Sequence, residues 1–504
     1  MVLMLSPVVP VAPQPPHACD RKRKRARDVV ERVSEKSMDE LAREVRSSFE
    51  APLELRSLLA MSTLLERQYQ DKLQRSNISM LPSYQHILPT GLERGDCLAL
   101  DVGGSTFRIA LIRLLGKTNG EEGLQTKSIR SFAIDKSIRD LKGQQFFDWM
   151  ADRIAEMLDD YYLNIDGATI TTLPMGLTWS FPVEQTSPKS GRILTMGKGF
   201  YATQGVEGQD LSELIMKSCR RKGLKVEMQA IINDSAATLL SQAYRDPSTR
   251  MSLILGTGTN AAVYLPVSAL AHDKFGSRPQ SWHEAAKYVL VNTELSMFGK
   301  HVLQTTRWDE ELNRKHVLPD FQPLEYMVTG RYLAEIVRLI LVEAINTIGL
   351  FDGQMPERLY IPYAFDTKIL AGFESDSSPS LANACTAFMQ AHPLRRPPTH
   401  TELQFIRTIC QAVSRRAAAY LATALHALWR LRTDLEQIQP GESGSVTIAC
   451  NGTIVEKYPE FRVCCQRYLD ELCVLSGASA GSVALEMAPE SSILGAAVAV
   501  CCNE

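Results

Sequence analysis

The sequence predicts an α/β protein made of two related halves that face a common phosphate. Three observations predict it. A short apolar strand, Cys97–Leu100, ends in Asp101, turns at Gly103-Gly104 and resumes over Phe107–Leu114. The arrangement returns roughly 150 residues later as Leu253–Leu255, the turn Gly256-Thr257-Gly258-Thr259-Asn260, and Ala261–Leu265. Between them the apolar run Val226–Ile232 enters Asn233-Asp234, and Ser235–Tyr244 then reads as a helix. Strand, glycine turn and strand make a hairpin, whereas a P-loop would run from its glycines into a helix. Either hairpin alone is a tight turn in a sheet. The pair suggests two α/β halves whose backbone N–H groups surround one anion.

The remaining elements fit around these. Val29–Gln74 reads as helical, and Pro82 and Pro89 then interrupt the chain. Leu333, Ile336, Val337, Ile340, Leu341 and Ala344 repeat at helical spacing, as do the apolar positions of Ile406–Trp429 and Phe461–Cys473. The Ser-rich Glu374–Ser380 and the Pro-rich His392–Thr401 read as loops. Asp234, at a strand end and helix start, is a helix cap or a functional carboxylate, because α/β folds place chemistry at the carboxyl ends of strands.

The chain has 504 residues, 45% hydrophobic and 22% charged, which suits a globular protein of two or three domains or one large split domain. Its formal charge of −2 argues against a protein that coats nucleic acid or membranes. No stretch approaches the roughly 18 apolar residues of a spanning helix. The eleven Cys are odd in number and form no CxxC pair, so a disulfide framework or zinc site is not expected and a reducing compartment is. Residues 1–16 are apolar but Pro-rich and lack a basic start, which disfavours a signal peptide. In residues 20–28, Arg21, Lys22, Arg23, Lys24, Arg25 and Arg27 against Asp20 and Asp28 give +4, so the rest of the chain carries −6. The basic run reads as a nuclear-import signal, as a nucleic-acid or acidic-surface contact, or as a solvated helix start, with import favoured.

Taken in order, the motifs resemble those of eukaryotic hexokinases. LALDVGGSTFR at 98–108 is similar to the family's first phosphate motif, LALDLGGTNFR. GLTWSFPVEQ at 176–185 is similar to its sugar motif GFTFSFPxxQ, and Lys198-Gly199-Phe200 to TKGF. IINDSAATLL at 231–240 resembles the catalytic NDTVATL, and GTGTNA at 256–261 the second phosphate motif. VNTELSMFG around Glu294 resembles NMEWGAFG, and PDFQPLEYMVTG, with Gln322 and Glu325, resembles PGKQxFEKMISG. Phe365-Asp366-Thr367 and Asn451-Gly452-Thr453 complete the series, and the likeness spans about 34–500.

The resemblance implies an actin-like ATPase (ribonuclease H-like) fold with two lobes around a sugar cleft. The large lobe would comprise 34–96 and 233–488, the small lobe 97–232 and 489–504, and 1–33 a disordered leader. It further implies transfer of the ATP γ-phosphoryl to the 6-hydroxyl of a hexose such as glucose. Asp234 would accept the hydroxyl proton, with Lys198 also catalytic. Ser180, Phe181, Lys198, Asn233, Asp234, Asn260, Glu294, Gln322 and Glu325 would hold the sugar. Asp101, Gly103, Gly104, Ser105, Thr106, Arg108, Gly256, Thr257, Gly258, Gly452 and Thr453 would hold ATP, with Mg²⁺ carried by ATP oxygens, Asp101 and water rather than by a dedicated metal site.

Departures fall mostly on the nucleotide side. Thr106 replaces Asn, Gly197 replaces Thr, and Leu295-Ser296-Met297 replaces Trp-Gly-Ala. Asn451 replaces Asp, and the final DGSGxGAA becomes Glu490-Ser491-Ser492-Ile493-Leu494-Gly495-Ala496-Ala497. Side chains at 491 and 493 would obstruct adenine if backbone must approach it there. The expectation is therefore a regulatory hexokinase, weakly active or non-catalytic. It is most similar to the atypical hexokinase-like proteins of filamentous fungi that act in carbon-starvation responses and the control of secreted proteases. The alternative is an active glycolytic hexokinase. Expected partners are a hexose, ATP and an import receptor at the basic run, with no direct nucleic-acid binding and no membrane span. The expected location is nucleus, cytoplasm or both.

Overall fold

The computed structural model describes residues 36–116, 123–163, 172–194, 196–197, 199–439 and 444–502. Two sheets dominate it, and they repeat one plan. The first has five strands in the order Leu124–Ala133, Thr106–Leu115, Arg94–Val102, Leu173–Trp179, Val226–Ile232. Its first three strands are antiparallel and its last two run parallel to Arg94–Val102. The second runs Tyr288–Asn292, Thr259–Pro266, Thr249–Leu255, Val446–Asn451, Val483–Met487 with the same orientations, and Leu81–Pro82 is added at its edge. The duplicated order makes this an actin-like ATPase fold of two lobes.

Each lobe has its own core. In the small lobe, Phe146, Phe147 and Trp179 are buried between the sheet and its helices. The large lobe is organised by one helix, His400–Leu435, whose start is fixed by a reciprocal cap between Thr399 and Glu402. It packs against Leu55–Arg75, Phe461–Leu475 and Met38–Glu50. Being surrounded, it is apolar on most faces rather than on one stripe.

A third core lies between the lobes. It joins Ala99 and Ile112 of the first sheet, Ala262 and Leu290 of the second, and two crossing helices, Asp234–Ala243 and Ser491–Cys501. Small residues permit that crossing. A Cβ on Gly495 would come within 2.0 Å of the Ala237 carbonyl oxygen, and one on Gly176 within 2.1 Å of the Ala496 carbonyl oxygen. Gly176, read from sequence as part of a sugar motif, is thus a packing glycine.

Three sequence expectations change. The helix expected over 29–74 is two helices, Met38–Glu50 and Leu55–Arg75, separated by a 3₁₀ turn Ala51–Leu53, and residues 29–35 lie outside the described residues. Pro52 is the cause, since it lacks an N–H and its ring clashes with the preceding turn of an α-helix. The Ser-rich loop begins only after helix Thr367–Ser375, and the Pro-rich loop ends at Thr399, which caps the long helix. Among the described residues no helix is long and apolar enough to cross a membrane.

Candidate active site

The first hairpin delivers Asp101 at the end of Arg94–Val102, followed by the turn 103–105. Gly103 N–H donates to the Thr106 carbonyl (3.0 Å), which closes the turn, and Ser105 projects into solvent. The Arg108 guanidinium donates to Asp101 Oδ2 from Nε (2.9 Å) and Nη2 (2.5 Å). Burial nevertheless raises the Asp101 carboxyl above its usual range, with Arg108 opposing the shift and the charge of Asp234 adding to it. Asp101 and Asp234 are therefore near enough for their charges to interact.

Asp234 opens the helix that follows Val226–Ile232. Asn233 is the N-cap, accepting from Ala236 N–H at 2.9 Å, while Asp234 Oδ1 accepts from Ser235 N–H at 2.8 Å. The structural role and the functional role thus divide between neighbours: Asn233 caps the helix, and Asp234 sits in its first turn, where the dipole favours an anion.

Three residues expected from sequence to hold the sugar, Asn233, Asn260 and Glu294, join through Asn292, at the end of Tyr288–Asn292. Its Oδ1 accepts from Asn260 Nδ2 (2.8 Å) and Ser235 Oγ (3.4 Å), and its Nδ2 donates to Glu294 Oε1 (2.8 Å). Asn233 Nδ2 donates to Ser235 Oγ (3.0 Å). Asn233, Asn260 and Glu294 are thereby one polar network. Asn292 and Ser235 were not singled out from sequence. The available signal for Asn292 was a polar residue ending an apolar strand two positions before Glu294.

Glu294 adopts a left-handed backbone, φ 53° and ψ 51°, which costs a non-glycine residue free energy and is retained where surroundings enforce it. Asn260 Oδ1 receives the Leu295 N–H (3.3 Å) and helps enforce it. Burial pushes the Glu294 carboxyl up to about 7; the Asn292 hydrogen bond opposes this and the Asp234 charge reinforces it.

Gln322 donates to Ser296 Oγ (3.3 Å), so the sequence Leu295-Ser296-Met297 does not displace it. Glu325 Oε2 accepts the Thr259 N–H at 3.0 Å and lies over Gly258, where a Cβ would meet it at 2.9 Å. Glu325 therefore joins the Gln322 segment to the 256–259 turn. Thr453 reaches the same turn from the other side, its Oγ1 being 3.4 Å from a Cβ built on Gly256. Gly452, at φ 119°, must be glycine, because a Cβ would come within 2.3 Å of the Leu255 carbonyl oxygen. Thr257 is exposed at the tip of that turn.

Ser180 is tied to the first hairpin by its N–H to the Val102 carbonyl (3.1 Å). Phe181 is 6% exposed and packs on Trp179 and Phe200, ring centroids 5.2 and 5.0 Å away. It supports the 199–200 loop. Gly197, at φ 66°, suits a backbone that the family's Thr would strain. Lys198 lies outside the described residues, as does the basic run 20–28.

The obstruction expected at 491 and 493 is not what these side chains do. Ser491 is fully buried and its Oγ hydrogen-bonds Thr238 Oγ1 at 2.8 Å. Ile493 is fully buried in the core between the lobes. A packed helix face has absorbed both replacements.

Two duplicated sheets whose glycine turns, strand-end carboxylates and amides converge define a two-lobed protein of the actin-like ATPase class. Hexokinase family models match residues 41–244 and 250–502, and the chain belongs to the hexokinase family. It is similar to hexokinase-1 of Spinacia oleracea, 30% identical over 84% of this chain and 82% of that one. The hexokinase of Schwanniomyces occidentalis is 28% identical over 77% of each. Human hexokinase-3 is 33% identical over 77% of this chain but only 39% of its own length. Among solved structures, a hexokinase from Schistosoma mansoni complexed with glucose superposes with a TM-score of 0.74 at 27% identity, covering 92% of this chain and all of that one.

Proposed function

We propose that the protein binds a hexose between its lobes and transfers the γ-phosphoryl group of MgATP to the sugar's 6-hydroxyl. One observation carries the reading: the charge of Asp234 acts on both Asp101 and Glu294, and Glu294 is joined to Asn260 through the Asn292 amide. Acceptor carboxylates and two-faced amides suit a polyol, whose hydroxyls both donate and accept. Asp234 takes the 6-hydroxyl proton as the bond to phosphorus forms. Backbone N–H groups of 104–105 and 257–258, with Thr453, hold the triphosphate. Among the described residues no group of three or more His, Cys, Asp or Glu could hold a metal. Asp101 would meet the Mg²⁺ that accompanies the nucleotide, an ion that would neutralise the triphosphate charge. A coupled assay with glucose, mannose and fructose at saturating MgATP tests this; absence of turnover with all three would sink it.

A second reading is a hexose-sensing regulator with little or no turnover, entering the nucleus through Arg21–Arg27 and acting in carbon-starvation signalling and control of secreted proteases. Thr106, Asn451 and the 295–297 replacement support it, each altering a motif that the family uses. Hexose-dependent thermal stabilisation without turnover favours this reading. An unchanged location on deleting residues 20–28 would remove its nuclear part.

A further inference from the structure

The loop that carries Gln322 and Glu325 is anchored by a ring cluster that the hexokinase motif does not contain. His316, at the end of helix Arg307–Lys315, packs on Tyr326 and Tyr332 with ring centroids 4.4 and 5.6 Å away. Tyr326 and Tyr332 are 5.0 Å apart and nearly buried. Tyr326 stands where the family motif PGKQxFEKMISG has lysine, so the cluster belongs to this chain.

The hydrogen bonds define the ring's state. His316 Nδ1 lies 3.1 Å from the Leu318 nitrogen and 3.2 Å from its carbonyl oxygen; we assign Nδ1 as the acceptor because the Leu318 N–H can only donate. Nε2 then carries the proton and donates to Tyr332 Oη at 3.0 Å. Tyr326 Oη lies 2.9 Å from Nδ1 and donates to the Leu318 carbonyl at 2.6 Å. Burial lowers the imidazole pKa, in keeping with a neutral ring. The ring thus ties both ends of the loop to helix Gly330–Ile348: Leu318 at its start and Tyr326, one residue after Glu325. Further ties hold the loop between those ends: Asp320 N–H to Asn313 Oδ1 at 2.8 Å, and Leu324 N–H to the Ser296 and Phe298 carbonyls at 3.2 and 3.1 Å, so the ring cluster fixes the two ends on either side of Gln322 and Glu325.

We propose that His316 is a positioning residue: by clamping Leu318, Tyr326 and Tyr332 it sets where Glu325 and Gln322 stand, and through Glu325 it orders the second phosphate turn. The inference rests on the hexose-binding reading for what Gln322 and Glu325 contact, but its link to the turn does not. Thr259 N–H donates to Glu325 Oε2, so its protection from solvent exchange reports the clamp with no ligand present.

The test uses the full chain with His316→Ala and the milder Tyr326→Phe, which keeps the ring and removes its hydroxyl. Amide hydrogen exchange is followed at Thr259 and across Arg94–Val102, and glucose affinity is measured by calorimetry. Both variants should exchange Thr259 about tenfold faster, leave the distant strand unchanged and bind glucose about tenfold more weakly, the scale expected when a supporting group is lost. Unchanged Thr259 protection in both variants overturns the proposal. So does acceleration spread evenly over both sheets, which would mean a merely structural role. Should the unsubstituted chain bind no hexose, the function reading falls, and exchange at Thr259 alone decides this one.

Discussion

Gly495 and Ala237 touch backbone to backbone: a single Cβ on Gly495 would lie 2.0 Å from the Ala237 carbonyl oxygen. Through this contact the helix that opens with Asp234 and the helix Ser491–Cys501 cross at the centre of the molecule. The carboxylate between the lobes is therefore placed by a packing contact three residues along its own helix. The glycine's lack of a side chain is what the fold uses there.

Gly495→Ala is expected to destabilise the protein by about 3 kcal/mol or more, because backbone cannot yield as a flexible side chain can. Gly372 offers the control. It lies inside helix Thr367–Ser375 with nothing within 4 Å of a built Cβ, so Gly372→Ala should stabilise by about 0.5–1 kcal/mol. Denaturant titration of both variants measures the contrast, and equal effects would refute it.

The hairpins around Gly103 and Gly256 were legible because local chemistry determines them: glycine permits the turn. The helix start was legible too, but the sequence offers Asp234 as its cap, whereas Asn233 is the residue that satisfies the helix N–H groups. Ile493 was not legible in the same way. A sequence motif shows that a glycine has been replaced, yet which way the new side chain points depends on a neighbouring helix more than 200 residues away in the chain. Asn292 was missed for a related reason. Glu294 is its near neighbour, but Ser235 and Asn260 come from a separate helix and strand, and only the assembled sheet and helix bring them to it.

Glu294 sets a pH dependence for hexose affinity. Its carboxyl titrates at about 7 in the ligand-free protein, and the ionised form is the better acceptor for sugar hydroxyls. Glucose binding should therefore release a proton near neutrality. Affinity should be level above about pH 8 and fall roughly tenfold per unit well below 7, the limit set by proton linkage. The sign for folding is opposite. Between 4.5 and 7 the folded chain holds a proton that the unfolded chain has lost, so this group's contribution to stability declines as pH rises. Calorimetry in buffers of different ionisation enthalpy counts the protons; an affinity independent of pH from 6 to 8 would contradict the assignment.

Asp234→Asn should preserve the fold, since an amide oxygen can still accept from Ser235 N–H. Loss of the base should lower turnover by roughly 10²–10⁴-fold. The same change removes the negative charge that helps raise Glu294. The midpoint of the pH–affinity curve should therefore move below its value in the unsubstituted protein. This second readout remains available even for a chain with no measurable turnover, so it tests the placement of Asp234 independently of the reaction. An unmoved midpoint would show that the two carboxylates do not sense each other.

Restoring glycine-like space at 493 distinguishes obstruction from packing. Ile493 is fully buried among residues of both lobes, so Ile493→Ala should cost about 2–4 kcal/mol through lost burial and the cavity left behind, and Ile493→Val about 1 kcal/mol. Neither should change ATP affinity by more than about twofold, provided measurements are made where the variant is folded, because each kcal/mol of stability has no bearing on a site the side chain does not enter. Fluorescence or calorimetric titration with MgATP, paired with thermal melts, measures both quantities. Tighter ATP binding in a folded Ile493→Val or Ile493→Ala variant would mean that the side chain does obstruct the nucleotide. In that event the low-turnover reading regains its strongest support. Stability loss without an affinity gain leaves the nucleotide side open for the reaction proposed for Asp234.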